Sequence, residues 1–219
     1  PHVSCDKKIA IVHNGIIENF SKLKEELKKK GHTFRSQTDS EVIAHLIDDA
    51  YKGNLEEAVI AAVKKIQGSY SIVAVSEDEP EKIVGVRKES PLVIGVGDSE
   101  NFLASDITAF LKYTKRVIFL DDGELCVLTK NSINVVDKNR KSIKKKEDLI
   151  TWDVKDAEKS GFAHFMLKEI YEQPDTVHQA LRGRISEIEE TIAFPEPVEK
   201  LLSNEINSVH IVACGTSFY

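Results

Sequence analysis

The sequence predicts an α+β chain, and three observations carry that reading. Apolar residues recur at helical spacing through 16–66, short β-type apolar runs fill 69–136, and turn residues punctuate those runs as antiparallel neighbours require. With 219 residues and 41% hydrophobic content, the chain can bury a full core and hold one large domain, or one domain and part of another.

The first element is a buried strand, Lys8-Ile9-Ala10-Ile11-Val12-His13, which Asn14-Gly15 is expected to close as a turn because both residues tolerate positive φ. Ile16, Phe20, Leu23 and Leu27 then share one face of an amphipathic helix over 16–30, and Gly31 stands where a C-cap belongs. Thr38-Asp39-Ser40-Glu41 has the S/T-x-x-E form of a capping box before Val42, Ile43, Leu46 and Ile47, so a second helix begins there and stops before Gly53. A third helix spans 55–66 and ends before Gly68. Strands are expected at 69–76, 82–87, 92–95, 102–105, 116–120, 124–129 and 133–136, with hairpin turns at Asp121-Asp122-Gly123 and Lys138-Asn139-Arg140.

The Lys/Glu/Asp-rich stretch 141–160 has few apolar anchors beyond Leu149, Ile150 and Trp152, which marks it as a linker region. Beyond it the pattern is helical at 162–172, stopped by Pro174, helical again to Leu181, and helical at 198–202. The apolar strand 209–213 runs into Cys214-Gly215-Thr216-Ser217 with no following helix, which reads as a truncated end. The first residue is Pro1 rather than Met, so upstream residues are expected to be missing as well.

Composition narrows the function classes. Thirty Lys and Arg against 36 Asp and Glu give a net charge of −6 with both signs interspersed, so no basic face favours nucleic acid or an anionic membrane. No run approaches the ~20 apolar residues that span a bilayer. Nor does the start have the basic and apolar regions of a signal peptide. Three cysteines, at 5, 126 and 214, cannot all pair within the chain and show no CxxC spacing, which fits a reducing, cytoplasmic setting. The seven histidines show no metal-binding spacing, so no metal site is expected. Cys5 lies in a polar stretch with no evident partner, Cys126 belongs to a core strand, and Cys214 to a turn; none is a convincing nucleophile.

Three segments remain as carriers of chemistry. In Val12-His13-Asn14-Gly15-Ile16-Ile17-Glu18-Asn19, the Asn14 carboxamide and Gly15 N–H are uncharged donors of the kind that stabilise a tetrahedral oxyanion, or simply an Asn-Gly turn. Asp39 either caps a helix or holds a ligand ammonium group. Thr216 and Ser217, after a strand, offer hydroxyl and amide donors suited to a phosphate.

Taken together, HNGIIEN at 13–19, QTDSEVIAH at 37–45, SPLVIG at 90–95, ENFLASD at 100–106, KEIYEQP at 168–174 and VACGTS at 212–217 resemble the glucosamine-6-phosphate synthases, in the same order and across the chain. The first two motifs recur in other glutaminases with an amino-terminal cysteine; KEIYEQP and CGTS point to the synthases within that class. The resemblance implies an amino-terminal-nucleophile glutaminase αββα sandwich over 1–152, lacking its N terminus, a linker over 153–160, and the start of an α/β sugar-isomerase (SIS) domain over 161–219. It implies L-glutamine and fructose 6-phosphate as substrates, no cofactor, and a homodimer formed through the isomerase half. By position, Asn14 and Gly15 match the oxyanion hole, Asp39 the carboxylate that holds the glutamine amino group, and Thr216 and Ser217 the sugar-phosphate contacts. The family's nucleophilic cysteine and its Arg-Trp-Ala-Thr-His-Gly segment would precede Pro1, so the chain by itself is expected to be inactive. Two rival readings keep the same fold: the glutaminase domain of another class II amidotransferase, and a non-catalytic regulatory or scaffold protein.

Overall fold

A computed structural model describes residues 1–151 and 161–182, the pairs 185–186 and 191–192, and the single positions 198, 200, 208, 210 and 212. The chain divides into two compact units, Pro1–Ala157 and Glu158–Tyr219.

In the first unit the strands β1 (His2–Val3) and β2 (Ile9–Ile17) precede three helices, α1 (Phe20–Lys29), α2 (Glu41–Ala50) and α3 (Leu55–Val63). The strands β3 (Gly68–Ser76), β4 (Ile83–Lys88), β5 (Val93–Val96), β6 (Asn101–Ala104), β7 (Arg116–Phe119), β8 (Leu125–Leu128), β9 (Ile133–Val136), β10 (Ser142–Ile143) and β11 (Asp148–Leu149) follow. They form a seven-stranded sheet ordered β1-β2-β3-β4-β8-β9-β10 and a four-stranded sheet ordered β11-β7-β5-β6, with every described pairing antiparallel. The fold is therefore α+β, as expected.

Alternation along the strands builds the layers. One face of the large sheet, with Ile11, Ile72, Val84 and Leu125, packs against Leu27, Val42, Ile47 and Val59 of the helices. Its other face supplies Cys126, Leu128 and Val135, which meet Leu92, Ile94 and Ile118 of the small sheet. Gly85 marks the closest approach of the two sheets: a Cβ there would lie 2.4 Å from Leu103 Cδ2 and 3.0 Å from Cys126 Sγ. The outer face of the small sheet is covered by Phe110, which follows a single 3-10 turn at Ile107–Ala109 and packs with Val93 and Val117.

The end of α1 follows the local chemistry read from the sequence, and the start of α3 adds a cap that was not read from it. Gly31, at φ +98°, closes α1 in a Schellman arrangement, its N–H donating to the Lys28 carbonyl at 3.0 Å and the His32 N–H to the Leu27 carbonyl at 3.1 Å. At α3 the Asn54 side chain accepts from the Glu57 N–H at 3.2 Å. The first seven residues of α2 are all buried, so this helix sits inside the layer rather than upon it.

Several expectations are corrected. Asn14-Gly15 does not close the first strand: β2 continues to Ile17, paired along its whole length with β3, and α1 starts only at Phe20. The long partner strand outweighs the local turn preference of Asn-Gly. Asp121-Asp122-Gly123 is a turn but not a hairpin, because β7 belongs to the small sheet and β8 to the large one. Lys138-Asn139-Arg140 does join a hairpin, β9 to β10. Residues 142–149 of the charged stretch add edge strands to both sheets through β10 and β11.

In the second unit, helix α4 (Phe165–Leu181) runs through Pro174 instead of stopping there. Apart from Lys168 its residues are exposed, so the carbonyl that loses its amide partner to the proline is open to water. Two short strands, β12 (Ile185–Ser186) and β13 (Thr191–Ile192), pair antiparallel. The predicted helix at 198–202 and strand at 209–213 fall largely outside the described residues, and Cys214, Thr216 and Ser217 fall wholly outside them.

Candidate active site

Two of the three sequence-derived segments meet on β2. Asn14 and Gly15 sit near its C-terminal end, opposite Ser71 and Tyr70 of β3. Gly15 has φ +128°, and a Cβ at this position would lie 2.1 Å from the Ser69 carbonyl oxygen, so no other residue fits without moving the strand pair. Two residues on, the Ile17 N–H donates to Asp39 Oδ2 at 2.7 Å. Among the described residues the Asp39 side chain makes no capping bond: its carboxylate is fixed on the strand, while the N-cap position of α2 belongs to Ser40, which has no side-chain capping bond either.

Asn14 points to the side of β2 away from the helices. It lines a cleft of about 260 Å³ between the sheets with Val12, Ser71, Leu92, Leu103 and Ser105. Among the described residues none is hydrogen-bonded to its carboxamide, and Val12 and Ile16 beside it are 50% and 66% exposed. The donor is thus presented on an open, partly apolar strand face. A larger cleft of about 470 Å³ lies at the β9–β10 edge, lined by Lys144 and by Lys145, which is engaged by Asp121 at 2.6 Å and Glu124 at 2.9 Å.

Residues that sequence reasoning assigned no role hold Asp39 in place. His13 Nδ1 lies 2.8 Å from Ser40 Oγ, tying β2 to the start of α2. Burial lowers the His13 pKa below its usual 6.5 despite the opposing pull of the Asp39 carboxylate, so the ring is neutral at pH 7. Glu41 was expected to complete a capping box. Instead it turns back to the preceding loop, accepting from the Arg35 N–H and Ser36 N–H, each at 2.7 Å, and from Ser36 Oγ at 2.6 Å. These donors outweigh the burial that opposes ionisation and hold its carboxyl at about 2. The signal for this role lay in the polar run Arg35-Ser36-Gln37, whose amides need an acceptor once the loop packs inward.

The expectation that Cys5 has no partner is also corrected. Its Sγ faces His32 Nδ1 at 3.8 Å and His45 Nδ1 at 3.6 Å, and it accepts from the Thr33 N–H at 3.3 Å. The partners lie 27 and 40 residues away, beyond any motif spacing.

A family model for the glutamine amidotransferase domain matches residues 1–112. Among curated proteins, the chain is 48% identical over its whole length to a glutamine–fructose-6-phosphate aminotransferase (isomerizing) of Aquifex aeolicus, covering 36% of that protein. It is 46% identical to the protein of the same name from a strain of Thermus thermophilus, again covering all of this chain and 36% of that protein. Against that of Thermococcus kodakarensis it is 49% identical, with the same coverage. The chain thus spans about a third of the length of these relatives. Among solved structures it is similar to a glutamine phosphoribosylpyrophosphate amidotransferase from B. subtilis, complexed with ADP and GMP, with a TM-score of 0.52 and 24% identity over 59% of this chain and 29% of the other. A structure described as the allosteric regulatory enzyme of purine biosynthesis matches with a TM-score of 0.50 and 24% identity over 59% of this chain and 28% of that one. These two matches establish the fold: stacked antiparallel sheets of the amino-terminal-nucleophile glutaminases.

Proposed function

The chain belongs to the glutamine amidotransferase domain family, and from that premise we propose that it is the glutamine-handling part of an enzyme that converts fructose 6-phosphate and glutamine into glucosamine 6-phosphate and glutamate. Similarity to the aminotransferases extends over all 219 residues, past the end of the amidotransferase match at residue 112, which favours this acceptor over those of other glutaminases.

The observation that carries the reading is the arrangement on β2, where an unpartnered carboxamide at Asn14 and a carboxylate fixed by the Ile17 N–H lie three residues apart. In this reading a thiolate from a segment outside 1–219 attacks the side-chain amide carbon of glutamine. The carbonyl π electrons move onto oxygen, where the Asn14 carboxamide and the Gly15 N–H stabilise the charge. The α-amino group of the same cysteine, which took the thiol proton, returns it to the amide nitrogen, so collapse of the intermediate expels ammonia and leaves a thioester, which water hydrolyses to glutamate, returning the thiol. Asp39 holds the substrate α-ammonium group through the oxygen not committed to Ile17, while His13, Ser40 and Glu41 keep the carboxylate in place. The ammonia then reaches fructose 6-phosphate.

The same reading divides the chain into a glutaminase domain over 1–152, a linker over 153–160 and the start of a sugar-isomerase domain over 161–219, in which Thr216 and Ser217 contact the sugar phosphate. The complete enzyme is a cytoplasmic homodimer joined through its isomerase half. Among the described residues no helix is long and apolar enough to cross a membrane.

The test uses the complete enzyme that contains this chain. Asn14→Ala lowers glutaminase kcat by roughly 10²–10³ with a smaller change in KM. Asp39→Ala raises KM for glutamine by roughly 10- to 100-fold, the worth of a charge-assisted hydrogen bond. An unchanged kcat in the Asn14 variant removes it from the oxyanion site.

A further inference from the structure

We propose that Cys5, His32 and His45 form a binding site for one zinc-like divalent cation, separate from the strand face that handles glutamine. The three donor atoms, Sγ and the two Nδ1, all lie within 4.8 Å of one another. The sulfur is 3.8 Å from the His32 nitrogen and 3.6 Å from that of His45. An ion bound at about 2.3 Å to sulfur and about 2.0–2.1 Å to nitrogen in tetrahedral geometry sets sulfur and nitrogen about 3.6 Å apart. Both sulfur–nitrogen distances are close to that spacing, and the imidazoles close the remaining side of the triangle. Asp48 Oδ2, 3.7 Å from His32 Nδ1, stands where a fourth ligand or a water-bridging carboxylate belongs.

The surroundings prepare these atoms as ligands. His45 is 1% exposed, and among the described residues its Nε2 has no hydrogen-bond partner; the nearest acceptor is Glu41 Oε1 at 3.6 Å. With its proton on Nε2, facing that carboxylate, the ring turns the Nδ1 lone pair toward Cys5. Carboxylates placed behind histidine in this way fix the tautomer of metal ligands. The Thr33 N–H also donates to Sγ, at 3.3 Å. A sulfur and two imidazoles suit zinc among the common divalent ions, while hard cations such as Mg²⁺ or Ca²⁺ prefer all-oxygen sites.

Cys5 is exposed, which gives the ion a way in. The ligands come from the β1–β2 turn, the loop after α1 and the body of α2. A bound ion therefore clamps α2, whose first turn follows Asp39, to the start of β2. The deep position of His45 makes its substitution a folding risk, so Cys5 and His32 carry the test.

The reduced full chain is titrated with Co²⁺ as the spectroscopic probe and then with Zn²⁺ in competition. The expected result is one Co²⁺ per chain, with a thiolate-to-cobalt charge-transfer band and the strong visible bands of tetrahedral coordination, both displaced by one equivalent of Zn²⁺. Cys5→Ser abolishes the charge-transfer band, and His32→Gln weakens binding by at least roughly 10-fold. Cys214→Ser leaves binding unchanged. Absence of the band, its survival in Cys5→Ser, or its loss in Cys214→Ser overturns the assignment.

Discussion

Replacing Glu41 by glutamine tests how the loop before α2 is held. Glu41 is 4% exposed and receives two backbone N–H groups and a hydroxyl. Its carboxyl falls from 4.5 in the ordinary case to about 2 in the folded chain. At about 1.36 kcal/mol per pH unit, that difference contributes about 3.4 kcal/mol at neutral pH. Because the folded value is the lower one, the contribution is complete above pH 4.5 and is lost as pH falls toward 2. Linkage leaves about 1.4 kcal/mol of it at pH 3. Glu41→Gln has no charge to lose at this position, so titrating groups that do not touch Glu41 cancel when variant and wild type are compared at each pH; among the described residues His45, 3.6 Å away, is the one neighbour whose titration shifts with it. Urea unfolding followed by circular dichroism is expected to give a stability gap of about 3 kcal/mol at pH 7 that narrows by about 2 kcal/mol at pH 3. A gap that stays constant between the two pH values refutes the assignment of the carboxylate as the ionised clasp of residues 35 and 36.

Two further outcomes follow from packing. Gly15→Ala places a Cβ against the Ser69 carbonyl at a φ of +128°, and is expected to cost at least about 1–3 kcal/mol in the same unfolding measurement. A neutral result there means the strand pair relaxes freely. Cys126, whose thiol is pushed up to about 12 by burial between the sheets, is expected to resist iodoacetamide at pH 8 until the chain is unfolded, while exposed Cys5 reacts in the native state; peptide mass spectrometry distinguishes the two.

Most elements were legible from local pattern, because the deciding interactions are local: Gly31 ends α1 with backbone bonds only a few residues apart. The misreadings occur where a distant partner decides. β3 carries β2 through Asn14-Gly15, although those residues alone favour a turn. Turn chemistry at Asp121-Asp122-Gly123 was visible, but the sheet that the next strand joins is set by packing of Leu128 against the small sheet. The S/T-x-x-E pattern located the start of α2 correctly and misjudged Glu41, since the amides that claim its carboxylate come from the loop before the helix. Asn14, Gly15 and Asp39 became candidates for one site through family resemblance; their convergence on one strand depends on a 22-residue separation that no periodicity reports.

The bond from Ile17 to Asp39 also makes β2 a ruler. At about 3.3 Å per residue, the carboxamide at Asn14 and the amide that anchors Asp39 stand about 10 Å apart along the strand. An extended glutamine measures about 5 Å from amide carbon to α-nitrogen. On the proposed reading the substrate spans between the Asn14 carboxamide and the free Asp39 oxygen, each through a hydrogen bond of about 2.9 Å. Asparagine, shorter by one methylene, could satisfy one end only by releasing the other. On that reading length selection would need no side-chain pocket: the spacing between Asn14 and a carboxylate pinned to the strand by a single amide would set it.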